Sequence, residues 1–251
     1  MTRGHASRTL YVLRHGERVD DVEPRWGESA ARVHDPPLTA AGVRQARATG
    51  RLLRRLDPSV DAVLASPFVR AAATAHHVAR VVDARVRIEA GLSEHLNPEW
   101  FDARPVTLDA PALAARLSTV GADPTSLVEP AFPESWPACA ARTATAARRL
   151  LDAHEGTLLL VGHGATVGGV VEGLVGPDVD APAPYCGLTR LDRAGRRVDD
   201  GGSATGGTGR DGGGDRAVDG DGDGDGDGTG AGGERCGRWR VVDAGRTAYR
   251  C

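Results

Sequence analysis

Two short apolar runs in this chain end in the same way. Thr9-Leu10-Tyr11-Val12-Leu13 leads into Arg14-His15-Gly16-Glu17-Arg18, and Thr157-Leu158-Leu159-Leu160-Val161 leads into Gly162-His163-Gly164. Each run is too brief for a helix and almost wholly apolar, the pattern of a strand buried on both faces of a parallel sheet. Parallel strands bring their carboxyl ends to one edge, which is where ligands bind in open α/β sheets. His15 and His163 then share a crevice. Arg14 and Arg18 arrive with His15, and planar guanidinium forks that never lose their charge match the oxygens of a dianionic phosphate.

The segments between repeat the alternation of strand and helix. Val19 to Pro37 is polar and proline-bearing and reads as a loop at the mouth of the crevice. Leu38 to Ala46 opens a helix with Thr39 as N-cap, and Ala46, Leu52, Leu53 and Leu56 supply its apolar face. Asp61 to Ala65 is a second buried strand, ending at Ser66-Pro67. Proline is tolerated in a first helical turn, so the helix that follows starts there and carries Arg70 beside free backbone amides that favour an anion. Val86 to Ile88 begins a third strand that runs into the loop bearing Glu94, with Glu17 and Glu89 as rival carboxylates. Residues 97–137 are rich in proline and alanine, hold Trp100, Phe101 and Trp136, and read as a substrate-facing cap. Ser135 to His154 favours helix despite Pro137. Cys186 to Arg193 and Arg238 to Ala244 read as an edge hairpin around a Gly/Asp-rich tract, 195–235, too polar to offset its ordering entropy and expected as a disordered loop.

Composition narrows the function. A chain of 251 residues can bury one sizeable α/β core, and we expect one folded domain over 1–251. The 31 basic residues are all arginine and face 34 acidic ones. The absence of lysine removes a P-loop, a Schiff base and a lysine general base. No basic helix or arm stands out, which disfavours nucleic acid and membrane surfaces as partners. Cys139, Cys186, Cys236 and Cys251 lack the spacing of a zinc site. No stretch reaches the roughly 20 apolar residues that span a bilayer, so a soluble, cytoplasmic protein is expected. Asp223, Asp225, Asp227, Gly228 and Glu234 fit a calcium-loop spacing. Alternating Asp and Gly produce that match trivially. His34, His76, His77, His95 and His154 read as surface or packing residues.

Arg14-His15-Gly16, Leu38-Thr39-x-x-Gly42-x-x-Gln45-Ala46, Ser66-Pro67-x-x-Arg70-Ala71-x-x-Thr74-Ala75, Glu94 and Gly162-His163-Gly164 together resemble, in order, the histidine phosphatase superfamily of phosphoglycerate-mutase-like enzymes. Arg14-His15-Gly16-Glu17-Arg18-x-Asp20, Gly91-Leu92-x-Glu94 and Pro184-Tyr185-Cys186-Gly187 resemble most the branch with the Sts and ecdysteroid-phosphate phosphatase domains. The resemblance implies a three-layer α/β/α sandwich, its sheet mainly parallel with an antiparallel edge hairpin. It implies a phosphomonoester hydrolase in which His15 takes up the phosphoryl group and Arg14, Arg18, Arg70 and His163 hold it. Glu94 would move the proton, and neither metal nor other cofactor would be needed. The partner implied is a small phosphorylated substrate or a phosphoprotein. Two other readings stand beside it, a phosphoglycerate-mutase-type phosphotransferase and a phospholigand-binding module without turnover. Against the mutase, Glu94 is followed by His95-Leu96-Asn97 and not by the arginine-tyrosine-glycine continuation of mutases.

Overall fold

The computed structural model describes residues 8–193 and 238–248. The 195–235 tract, the acidic spacing from Asp223 to Glu234, and Cys236 and Cys251 lie outside the described residues. The elements in order are β1 (Arg8–Arg14), α1 (Trp26–Ser29), α2 (Ala40–Leu53), β2 (Ala62–Ala65), α3 (Val69–Val82), β3 (Val86–Ile88), α4 (Ala110–Ala114), α5 (Trp136–Ala153), β4 (Leu158–Gly162), α6 (Gly164–Leu174), β5 (Leu188–Arg193) and β6 (Trp239–Arg246). The expected loop before α2 thus contains α1 and a 3-10 turn, Val19–Asp21.

The strands form one sheet in the order β3-β2-β4-β1-β5-β6. The pairs β3/β2, β2/β4 and β4/β1 are parallel, and β1/β5 and β5/β6 are antiparallel. This is the mainly parallel α/β sheet with an antiparallel edge that the sequence implies. Strand periodicity sends alternate side chains to opposite faces. Tyr11, Leu13, Val63, Ala65, Leu159 and Val161 pack with residues of α2 and α3, while Leu10, Val12, Leu64, Leu158 and Leu160 pack with residues of α5 and α6. Two helical layers therefore enclose the sheet, and both faces of β1 and β4 are dry.

Local signals account for most helix ends. Thr39 Oγ1 accepts from Gly42 N at 2.9 Å, and Ser135 and Asp109 cap α5 and α4 in the same way. Pro137 sits in the first turn of α5, where its missing N–H costs nothing. Pro67 departs from expectation. It precedes the N-cap Phe68 and lies outside α3, because the helix takes its cap from elsewhere: Asp35 Oδ1 accepts from Val69 N at 2.7 Å. Charge on α2 also departs from expectation. Arg44, Arg47 and Arg51 recur three and four residues apart on its exposed side, with no acidic residue between 40 and 53, so α2 is a basic helix. Whole-chain balance hid this, because so many acidic residues fall in the Gly/Asp tract. Within 97–137, Phe101 packs with Phe68 and Leu96, whereas Ala110 and Leu113 join the core on the α2/α3 face. Among the described residues no helix is long and apolar enough to cross a membrane.

Candidate active site

The register of the parallel strands aligns their ends. Arg14 pairs with Gly162, His15 N donates to Gly162 O at 2.9 Å, and Ser66 N donates to Val161 O at 2.9 Å. Ser66, His163 and His15, at the ends of β2, β4 and β1, are thus consecutive teeth on one edge. The His15 and His163 ring centroids lie 5.2 Å apart. Close backbone approach makes room for this edge: a side-chain carbon on Gly42 would fall 2.2 Å from the Glu17 carbonyl oxygen. Glycine at the start of α2 therefore lets that helix press on the loop after β1.

His15 is 1% exposed. Its Nδ1 lies 2.8 Å from Gly16 O, an acceptor only, so the ring proton sits on Nδ1 and the Nε2 lone pair faces the site. Burial first, then Arg70 and His163, holds its pKa well below the ordinary value, against smaller opposing effects of Gly16 and Glu94. The ring is held neutral, with its lone pair on Nε2. Arg70, 1% exposed in the first turn of α3, donates Nε to His15 Nε2 at 3.3 Å, Nη2 to Glu94 Oε2 at 3.4 Å and Nη1 to His34 O at 3.4 Å. Thr74 steadies both: its Oγ1 accepts from Gly16 N at 3.0 Å and donates to Arg70 O at 2.8 Å.

His163 is fully buried, with Nε2 2.9 Å from Ser66 Oγ and Nδ1 3.2 Å from Glu94 Oε2, a short polar contact without good hydrogen-bond alignment. Burial lowers its pKa to about 4, although Glu94 pulls the other way. Burial opposes ionisation of Glu94, but His163, Arg70 and His15 outweigh it and hold the carboxyl well below its ordinary value. The rival carboxylates are occupied elsewhere. Glu89 accepts the backbone amides of Gly91, Leu127 and Val128, and Glu17 accepts the Thr39 hydroxyl.

Arg14 and Arg18 flank this floor. Arg14 Nη1 donates to Ala183 O at 2.7 Å, its guanidinium covers the Tyr185 ring at 4.3 Å, and its buried Nε has no hydrogen-bond partner. Arg18 Nε lies 3.1 Å from Asp20 and 3.3 Å from Asp21. In front is a cleft of about 390 Å³ whose lining includes Arg18, Arg70, Glu94, Val33, Trp100 and Phe101. All six predicted residues, Arg14, His15, Arg18, Arg70, Glu94 and His163, therefore gather at or beside one cleft. Tyr185, Ser66, Thr74, Asp35 and the His34 carbonyl join them without having been assigned from sequence as site groups. Ser66 and Thr74 fell inside a quoted motif; Asp35 and His34 gave no local signal.

The ligand atoms of His15, Glu94 and His163 lie within 4.8 Å of one another, a spacing that a metal ion could bridge. Arg70 already donates to His15 Nε2 and Glu94 Oε2, so a cation there competes with a buried guanidinium. The arrangement suits a tetrahedral oxyanion: a neutral imidazole nitrogen behind it, guanidiniums around it and a carboxyl beside it.

A sequence model of the histidine phosphatase superfamily (branch 1) matches residues 10–199. Among curated proteins, the transcription factor tau 55 kDa subunit of Saccharomyces cerevisiae is 33% identical over 104 residues, 39% of this chain and 23% of that protein. The mouse (Mus musculus) ubiquitin-associated and SH3 domain-containing protein A is 29% identical over 123 residues, 37% of this chain and 20% of that protein. The chain thus spans about a quarter or less of the length of the curated relatives it matches. Among solved structures, ecdysone phosphate phosphatase from Bombix mori, in complex with tungstate, superposes with a TM-score of 0.59 at 24% identity, over 73% of this chain and 88% of that one. Phosphoglycerate mutase from Bacillus anthracis gives 0.53 at 21% identity, over 75% and 89%.

Proposed function

The chain belongs to the histidine phosphatase superfamily (branch 1), and from that premise we propose that it is a metal-independent phosphomonoester hydrolase working through a phosphohistidine on His15. The observation that carries the proposal is the state of the His15 ring, which is buried and neutral, with Nδ1–H tied to Gly16 O and Nε2 turned into the guanidinium cluster. A neutral imidazole nitrogen in that setting is an activated nucleophile.

In the first step Nε2 forms a bond to phosphorus as the ester P–O bond breaks. Arg70 and Arg14 hold the equatorial oxygens, each charge-assisted hydrogen bond being worth about 1.5–3 kcal/mol, while the exposed Arg18 draws the dianion in. Glu94 gives its proton to the leaving oxygen. In the free site that carboxyl is ionised, with the Arg70 guanidinium 3.4 Å away as its standing counter-charge. A dianionic phosphate competes for Arg70 and adds negative charge beside the carboxyl, and both effects raise the Glu94 pKa, so substrate binding loads the acid. In the second step water attacks phosphorus, Glu94 takes the water proton, and the P–N bond breaks to free His15 and inorganic phosphate. The solved relative named as a phosphatase of ecdysone phosphate supports phosphate monoesters as the substrate class.

The test is p-nitrophenyl phosphate hydrolysis in excess EDTA, wild type beside His15→Ala. Turnover that survives the chelator and drops by about 10³-fold or more in the variant is the expected result. A folded wild type without turnover, or turnover that persists in the variant, overturns the proposal, and absence of turnover points to the phosphotransferase or the binding module.

A further inference from the structure

Glu94 stands on an irregular segment. After β3 the chain makes one 3-10 turn, Ala90–Leu92, and then runs through residues 93–97 with no regular structure. Buried backbone carbonyls in such a segment need partners from elsewhere. Arg142, on α5 and 8% exposed, supplies them. Its Nη1 donates to Gly91 O at 2.8 Å and Ser93 O at 3.2 Å, and its Nη2 donates to Glu94 O at 3.1 Å. One guanidinium thus grips three carbonyls within four residues.

Glu134 completes the grip from the other flank. Its carboxylate takes Arg142 Nε at 3.0 Å and Nη2 at 2.5 Å, and also accepts Leu96 N at 3.0 Å. Its own backbone is paired there too: Glu134 N donates to Leu96 O at 3.1 Å, and Glu134 O lies 3.1 Å from His95 Nε2. The pair therefore fixes the chain on both sides of Glu94.

We propose that Arg142, with Glu134 as its counter-ion, is a positioning residue that sets the Glu94 carboxyl at the distance needed to protonate the leaving oxygen; this rests on the acid role given to Glu94 above. A buried ion pair is poor evidence of a stabilising device, since well-packed apolar residues often serve stability as well or better. What this pair does that apolar residues cannot is hold three carbonyls beside one side chain. Glu94 Oε2 stands 3.2 Å from His163 and 3.4 Å from Arg70, and misplacement by about 1 Å is enough to cost on the order of 100-fold in rate. A lysine keeps the charge but not the planar fork, so it does not replace the arginine.

The leaving group separates positioning from packing. p-Nitrophenolate departs without help, whereas the alkoxide of propyl phosphate needs a proton. We would measure kcat/KM on both esters, which reports the steps up to release of the leaving group and leaves out the phosphohistidine hydrolysis that the two esters share, for wild type, Glu94→Gln, Arg142→Lys, and the double variant Arg142→Met with Glu134→Gln, which leaves no buried charge unpaired. Circular dichroism and thermal unfolding check the fold. The expected result is a loss of roughly 100-fold on the alkyl ester and less than about fivefold on the aryl ester in Glu94→Gln, with both Arg142 variants following the same split. If the double variant does not fold, Arg142→Lys carries the test. Equal loss on both esters, or no loss, in folded Arg142 variants while Glu94→Gln shows the split overturns the positioning role alone. Equal loss on both esters in Glu94→Gln overturns the acid role, and the positioning role with it.

Discussion

The floor of the cleft and its rim hold arginines in opposite ways. Arg70 is 1% exposed, and its donors go to His15, Glu94 and the His34 carbonyl. The Arg18 side chain is 34% exposed and is met by Asp20 and Asp21 before any ligand arrives. Both carry the same charge, yet its reach differs. A charge held in a dry site acts at low dielectric and is oriented in advance, while one at the surface is screened by water, by salt and here by two carboxylates. In the reaction proposed above the floor serves bond making and the rim serves capture.

The sharpest way to break that contrast is to remove Arg70. Arg70→Met loses at least one strong charge-assisted bond to the phosphoryl group and frees Glu94, and kcat/KM on p-nitrophenyl phosphate should fall by about 10² to 10³. A loss below tenfold would put the floor and rim arginines on a par.

The next effect is on stability. Burial holds His163 at about 4 and His15 well below the ordinary 6.5. In the unfolded chain both rings take protons near 6.5, so as pH falls below that value the unfolded state binds more protons and the fold loses stability; above it the full advantage is present. His163 alone should contribute a loss of about 3 kcal/mol by the time its folded pKa is reached. Urea midpoints measured from about pH 7 down to about pH 4.5 should therefore fall, with a shallower slope in His163→Asn. A flat wild-type profile would mean that these rings are not buried in neutral form.

Rim changes should be smallest. Arg18→Gln should raise KM by less than about tenfold and leave kcat nearly unchanged. Asp20→Asn should lower KM a few-fold, an effect that shrinks as salt rises. A large kcat defect in Arg18→Gln would move that residue from capture into the chemistry.

How far the sequence reaches follows the same division between local and long-range. β1 and β4 were readable because strands buried on both faces lack alternation, and the histidines at their ends shared a glycine-flanked pattern. Arg70 was readable because a strand, Ser66-Pro67 and a helix start give it an address. Glu94 is not separable from Glu89 and Glu17 by sequence, since what sets those two apart are the amides of Leu127 and Val128 on Glu89 and the Thr39 hydroxyl on Glu17, all distant in the chain. Arg142 and Glu134 give no signal at all: they lie eight residues apart and act on a loop 51 and 38 residues away, respectively. Pro67 stands two residues before the first helical residue, Val69, because the cap of α3 comes from Asp35, in a different loop.

The hydrogen bond between His15 Nδ1 and the Gly16 carbonyl also decides regiochemistry. An imidazole has two nitrogens that electrophiles can take, and here one is tied to the backbone of the next residue. Any electrophile that reaches this ring, from a phosphoryl donor to an alkylating reagent, meets Nε2. The adduct is a single positional isomer, the tele form, separable from its pros counterpart by chromatography of an alkaline digest.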